Sequence, residues 1–236
     1  MSYSFKGRVR YSEIGENGCL TLPGIQDYYQ DCCTFQSEEI GQGMAELEKR
    51  RRAWVLSSWQ IVVDRYPKLG ETIVASTAPY DFRGFLGMRN FTLKTEAGEL
   101  LSYANSIWTN IDTGTGLPAR LTEEDTRGYV LDEKLEMDYA SRKIALPEGM
   151  VKSEPFAIQK HHLDTHHHVN NCQYIRMAAD YLPEGFAIYQ MRAEYKKQAL
   201  LGDVFYPSVK TEEKKITVAL STEAGEPYAI VEFTMK

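Results

Sequence analysis

The chain has no histidine outside one eight-residue stretch, no apolar run long enough to span a bilayer, and few cysteines. The missing apolar run excludes a membrane-spanning helix, which needs about 20 mostly apolar residues in a row. The N-terminal Met1-Ser2-Tyr3-Ser4-Phe5-Lys6 lacks the apolar segment of a secretory signal. The four cysteines, Cys19, Cys32, Cys33 and Cys172, form no C-x-x-C pair and no regular framework. Reduced thiols in a cytoplasmic protein are the simplest reading. Positive charge is in deficit: the net charge of −6 argues against nucleic acid as the main partner. What remains is the composition of a soluble globular protein, 43% hydrophobic and 25% charged. Its 236 residues suffice for one large domain or two small ones.

Two segments recur in order. Thr95-Glu96-Ala97-Gly98-Glu99 returns as Thr222-Glu223-Ala224-Gly225-Glu226, and Leu69-Gly70-Glu71 returns as Leu201-Gly202-Asp203. Two ordered matches at nearly one spacing point to an internal duplication. The duplication extends to helices. Ile25, Tyr28, Tyr29, Cys32 and Cys33 fall at i, i+3, i+4, i+7 and i+8, as do Tyr174, Met177, Ala178, Tyr181 and Leu182. Each set draws an apolar stripe along one helix face. Thr21 or Leu22 before Pro23 suits the first helix's start, and Asn170 or Asn171 can cap the second. Pro183 and Gly185 should end it.

After each helix come strand-like runs: Trp54–Val63, Glu71–Pro79, Met88–Thr95 and Leu101–Ile111, then Gln190–Lys197, Val204–Lys210, Lys215–Leu220 and Tyr228–Met235. The repeated Glu-Ala-Gly-Glu reads as a hairpin turn with glycine at positive φ. Each half is therefore one strand, one long helix and an antiparallel sheet, an α+β architecture. Two such halves can pair edge to edge into one sheet. Residues 1–120 form the first repeat, 121–154 a linker and 155–236 the second repeat. From Asp112 the composition is already loop-like, and a short helix is expected near Thr122–Arg127.

The histidines are His161, His162, His166, His167 and His168, and they share their stretch with Asp164 before running into Val169-Asn170-Asn171. A carboxylate, imidazoles and amides just before a helix N-terminus bring acid-base groups to a place with unpaired N–H groups and a positive dipole end. Such a place stabilises a developing oxyanion. Asp164 can act as base or nucleophile, and His168 can donate to a carbonyl or shuttle a proton. The combination suits attack on an activated ester. A metal fits less well, because closed zinc sites want about four ligands and only one carboxylate is near.

Asp164-x-x-x-His168-Val169-Asn170-Asn171-x-x-Tyr174 resembles the signature of hotdog-fold thioesterases. Trp54-Val55-Leu56, Val63-Asp64-Arg65-Tyr66-Pro67, Gly87-Met88-Arg89, Ser106-Ile107-Trp108 and Glu194-Tyr195-Lys196-Lys197 follow in an order similar to that of the plant and bacterial acyl-acyl carrier protein thioesterases. Those proteins carry two hotdog repeats in one chain. The resemblance covers nearly the whole sequence and implies a double hotdog: two long helices packed on a continuous antiparallel sheet. It implies hydrolysis of fatty acyl-acyl carrier protein thioesters, an acyl-chain cavity in the first repeat, and no metal or organic cofactor. Asp164 and His168 match the family's motif, while His166 stands where the plant enzymes have asparagine. Gln198 and Ala199 stand where the family has Glu-Cys, so a cysteine nucleophile and a glutamate base are missing there.

The expected catalytic set is thus Asp164, His168, His166 and Gln198. Asp164, aided by Gln198, activates water or attacks directly, and His168 with helix N-terminal amides holds the oxyanion. Asn170, Asn171, Trp54 and Met88 are candidate substrate contacts. Asn170 and Asn171 read equally as caps, and the tryptophans as core. His161, His162 and His167 read as surface residues. Lys49-Arg50-Arg51-Arg52 is either a solvated face or a docking patch for the acidic carrier protein. Two alternatives stay open: a non-catalytic acyl-thioester-binding hotdog protein, and a hotdog dehydratase. A monomer suffices, and a homodimer is compatible.

Overall fold

The structure is a computed structural model that describes residues 2–236. Its chain divides into two compact units, one of residues 1–57 and 61–139, the other of residues 58–60 and 140–236.

The first unit runs β1 (Tyr3–Arg8), α1 (Leu22–Glu39), α2 (Met44–Lys49), β2 (Arg52–Val63), β3 (Thr72–Arg83), β4 (Leu86–Thr95), β5 (Leu100–Asp112) and α3 (Glu123–Thr126). Its strand order is β1-β3-β4-β5-β2, with β1–β3, β3–β4 and β4–β5 antiparallel. Helix α1 buries Ile25, Tyr28, Tyr29, Cys32 and Cys33, the stripe expected from its period. Thr21 caps it, its hydroxyl accepting the Gly24 N–H at 3.1 Å. The Tyr29 and Phe91 rings meet 5.1 Å apart, which sets the helix against β4. Cys32 and Cys33 are packed thiols whose pKa burial pushes up, Cys32 to about 12.

The second unit runs β6 (Val151–Lys152), β7 (Phe156–Ala157), α4 (Asn171–Ala179), β8 (Gln190–Tyr195), β9 (Val204–Thr211), β10 (Lys215–Ser221) and β11 (Pro227–Thr234). Its order is β8-β11-β10-β9-β6, with β7 also on β9. All these pairs are antiparallel. The second helix has nine residues where the first has 18. Its stripe stops at Met177 and Ala178. Tyr181 and Leu182 lie in a tightened turn, donating to Ala178 and Ala179 C=O. The cause is Pro183, whose ring disfavours helical backbone at the residue before it. An aromatic cluster replaces the missing helix length: Tyr174 packs on Tyr195 and Phe205, and Phe205 on Tyr228 and Phe156.

The repeated turns superimpose bond for bond. Thr95 N–H donates to Glu99 C=O and Gly98 N–H to Thr95 C=O; Thr222, Glu226 and Gly225 repeat both bonds. Gly98 and Gly225 take φ of 92° and 85°, as the hairpin turn demands. The linker forms its short helix at Glu123–Thr126, closed by a Thr122–Asp125 capping box. Elsewhere it has almost no regular structure, and side chains on the strands satisfy its main chain. Asn90 Oδ1 accepts Leu135 N–H, Gln60 Oε1 accepts Ala140 N–H, and Glu194 Oε2 accepts Ile144 N–H, at 3.0, 2.9 and 2.9 Å. No helix among the described residues is long and apolar enough to cross a membrane.

Gly7 on β1 lies under Tyr28, where an added Cβ would meet the ring at 2.6 Å. The ring cannot retreat freely, because its hydroxyl donates to Arg8 C=O or Glu13. Gly7→Val should therefore destabilise the protein by about 1–3 kcal/mol, measured by denaturant titration. An unchanged midpoint would show that α1 can shift without cost.

Candidate functional site

The histidine-rich segment is a closed loop between a 3-10 turn at Lys160–His162 and helix α4. Leu163 and Val169 pair across it, Asp164 N–H donates to His168 C=O at 2.8 Å, and His167 N–H donates to Asp164 C=O at 3.1 Å. Asp164 also closes the loop with its side chain: Oδ1 accepts the N–H groups of His166 at 2.8 Å and His168 at 3.2 Å. An aspartate two and four residues before amides in a turn does this readily. The cost of the tight turn falls on His167, a non-glycine residue at φ 61°.

The loop is held from two sides. Asn170 N–H donates to His162 C=O at 2.9 Å, and Asn170 Oδ1 accepts Cys172 N–H at 2.8 Å as the cap of α4. Beyond β8 the chain returns alongside: Val169 N–H donates to Ala199 C=O at 2.9 Å, and His168 pairs with Leu200. Gln198, some thirty positions away in sequence, is thereby carried on the segment that borders the loop.

The expected residues divide accordingly. Asp164 and His168 are half-buried; Asp164 Oδ2 and the His168 ring nitrogens have no hydrogen bond within the described chain. His166 and Gln198 are exposed. His162 is a structural residue, its Nδ1 accepting Gln159 N–H at 3.0 Å, and burial beside His161 holds its pKa below the usual value. Asn170 has its carbonyl oxygen committed to the cap, and Asn171 C=O accepts the Tyr195 hydroxyl at 3.0 Å. No three His, Cys, Asp or Glu side chains among the described residues are placed to hold a metal ion.

Trp54 and Met88 belong to the first unit and are half-buried, the Trp54 ring lying tilted against Phe82 with centroids 6.2 Å apart. Two arginines of the basic run are held in ion pairs. Arg50 has only 12% of its side chain exposed and pairs with Asp125 at 3.2 Å, while Arg52 pairs with Asp112 at 3.1 Å. Their charges are spent inside the fold, and only Lys49 and Arg51 project into solvent.

The first unit contains a loop with the same backbone bonds but no counterpart of Asp164 or of the histidines. Gly15 N–H donates to Cys19 C=O, Gly18 N–H to Gly15 C=O, and Thr21 N–H to Glu13 C=O. Gly15 thus stands where the second loop has Asp164, Gly18 (φ 71°) where it has His167, and Cys19 where it has His168. Asn17 Oδ1 accepts the Cys19 N–H at 3.0 Å, doing part of the work of Asp164. This third repeat escapes a search for identical residues, because only the hydrogen-bond pattern and the cap before each helix survive. Tyr174 also escaped assignment beyond its helix stripe: its hydroxyl oxygen accepts Ala199 N–H at 3.0 Å, and burial pushes its pKa well up.

Comparison with known proteins agrees across both units. Residues 1–129 match the family model "Acyl-ACP thioesterase N-terminal domain", and residues 147–234 match "Acyl-ACP thioesterase C-terminal domain". A chloroplastic palmitoyl-acyl carrier protein thioesterase of Gossypium hirsutum is 24% identical over 209 residues, 80% of this chain and 50% of its own. A chloroplastic dodecanoyl-[acyl-carrier-protein] hydrolase of Cinnamomum camphora is 23% identical over 215 residues, 83% of this chain and 56% of its own. The chain spans about half the length of these curated relatives. Among solved structures, an acyl-ACP thioesterase from Bacteroides thetaiotaomicron aligns with TM-score 0.89 at 22% identity, covering 100% of this chain and 98% of that one. The 12:0-ACP thioesterase from Umbellularia californica aligns with TM-score 0.87 at 16% identity, covering 100% and 97%. The fold is the α+β double hotdog of these structures. Matched from residue 1 to 129 and again from 147 to 234, the chain belongs to the acyl-ACP thioesterase family.

Proposed function

We propose that the chain hydrolyses thioesters of fatty acyl chains carried on acyl carrier protein, releasing the free fatty acid and the carrier thiol. The observation that carries this reading is the loop itself. One oxygen of Asp164 is locked to two amides, the other is unbonded, and His168 follows with both ring nitrogens open. Membership of the family supplies the substrate class.

In this mechanism Asp164 Oδ2 takes a proton as water oxygen bonds to the thioester carbonyl carbon. His168 donates to the developing oxyanion. The cap on Cys172 leaves the Asn171 N–H, the first amide of α4, to assist. Collapse breaks the C–S bond, and the proton held by Asp164 passes to the leaving sulfur. Gln198 orients the water through its amide, since it cannot accept a proton. His166 helps to hold the carbonyl. Direct attack by Oδ2 would pass through an anhydride instead, and a single turnover in ¹⁸O-water would then leave label in the Asp164 carboxylate. Asn171, Trp54 and Met88 serve as substrate contacts, the latter two in an acyl-chain pocket of the first unit.

Asp164→Asn keeps an oxygen for both loop amides and removes the base. It should stay folded and lose about 10²–10⁴-fold in kcat, as should His168→Ala, read by release of free thiol from acyl-carrier protein. Near-wild-type turnover in both would make Asp164 a scaffold of the loop and end the assignment. Tight binding by a wild type that never turns over would instead establish a non-catalytic acyl-thioester-binding protein.

His167→Gly tests which histidines matter. Glycine already occupies this conformation at Gly18, so the substitution should leave kcat unchanged and raise Tm by about 2–4 °C. A large loss of activity would place the His167 ring in the chemistry.

For carrier docking the exposed charges are Lys49 and Arg51. Reversing both to glutamate should raise KM for the carrier-bound substrate and leave small acyl thioesters unaffected. Equal effects on the two substrates would refute docking at this patch.

A further inference from the structure

Ala199 is fully buried, and three parts of the second unit meet at it. Its C=O accepts the Val169 N–H of the loop, and its N–H donates to the Tyr174 hydroxyl on α4. Its neighbour Leu200 pairs with His168 and donates its N–H to Asp203 at 2.9 Å. The first unit builds the same frame. Pro67 C=O accepts Leu20 N–H at 2.8 Å, Lys68 pairs with Cys19, and Lys68 N–H donates to Glu71 at 2.5 Å. One detail differs. Pro67 has no N–H to satisfy, and the helix position matching Tyr174 is the fully buried Ile25.

Each unit therefore avoids an orphaned buried amide by its own means: a proline ring in the first, a tyrosine hydroxyl in the second. The two devices also share a mechanical effect, since each holds the backbone at one residue of the segment that borders the loop. In the second unit that residue's amide belongs to the peptide joining Gln198 to Ala199. Gln198 has no side-chain hydrogen bond in the described chain, so its main chain is what aims it.

We propose that Tyr174 is a positioning residue for the reaction: its hydroxyl sets the Gln198–Ala199 peptide, and with it the segment against which Gln198 and His168 are held. The proposal rests on the thioester hydrolysis argued above. Phenylalanine at 174 would fill the same space between Tyr195 and Phe205, so the hydroxyl alone separates positioning from packing.

The test compares wild type, Tyr174→Phe, Tyr174→Ile and the pair Tyr174→Ile/Ala199→Pro, which transplants the first unit's arrangement. Tm is measured for each, and kcat and KM on acyl-carrier protein well below the lowest Tm. Tyr174→Phe should lose about ten- to a hundredfold in kcat with KM nearly unchanged, the scale of a small misplacement of reacting groups. Tyr174→Ile should lose both Tm and kcat, and the pair should regain both, because proline fixes the same peptide and has no N–H to orphan. Wild-type kcat in Tyr174→Phe would overturn the proposal, leaving the hydroxyl a partner for one amide. So would a pair that regains Tm while kcat stays at the Tyr174→Ile level, since the hydroxyl would then act on the reaction itself. A pair that regains neither shows that the two devices are not equivalent and overturns it as well. If Tyr174→Phe does not fold, the pair decides alone. A wild type inert on every thioester sinks the hydrolysis reading, while the Tm arm still decides whether the two devices are interchangeable.

Discussion

The carboxylate of Asp164 bonded to the amides of His166 and His168 is the constraint on which the site depends. The five residues between the paired Leu163 and Val169 have more backbone donors than their own main chain can satisfy. One side-chain oxygen takes two of them. The same contact orients the carboxylate, so that Oδ1 faces the loop and Oδ2 has no hydrogen bond within the described chain. Loop closure thus uses one atom of the group, and the same loop carries the imidazole of His168.

The comparison between units separates the shared backbone frame from the side chains it carries. Both units have a 3-10 turn, a closed loop, a capped helix and a bordering extended segment joined by matching bonds. The first keeps the backbone pattern with Gly15, Gly18 and Cys19; the second carries Asp164, His167 and His168. His167 sits at positive φ where glycine would be relaxed, so the second loop tolerates strain that the first does not. The frame forms in the first unit without a counterpart of Asp164 or of the histidines.

Buried backbone accounting also explains the parts that are not helix or strand. The linker has few strand partners of its own, so Asn90, Gln60, Arg192 and Glu194 reach out of the sheet to bond its peptides. Glu194 lies in the Glu194-Tyr195-Lys196-Lys197 segment, and its Oε2 accepts the Ile144 N–H. Arg50 and Arg52 of the basic run approach Asp125 for a related reason. Asp125 is buried at a helix cap, and a buried carboxylate needs a partner.

Periodicity and turn chemistry are local, and they sufficed for much of the chain. The eight strands, the stripe of α1, the caps at Thr21 and Asn170, the short linker helix and the paired glycine turns all follow from residue spacing. So does the concentration of acid-base groups at Asp164–His168. The end of α4 was less legible, because Pro183 acts on the backbone of the residues before it while the apolar stripe runs on through Leu182. Tertiary structure alone decided the rest. It set Ala199 against both Val169 and Tyr174, paired Arg50 with Asp125 and Arg52 with Asp112, and gave the loop at Ile14–Thr21 the shape of the one that bears the histidines. These are pairings between distant positions, settled by which buried donors and charges find partners, and no local pattern of residue types encodes that outcome.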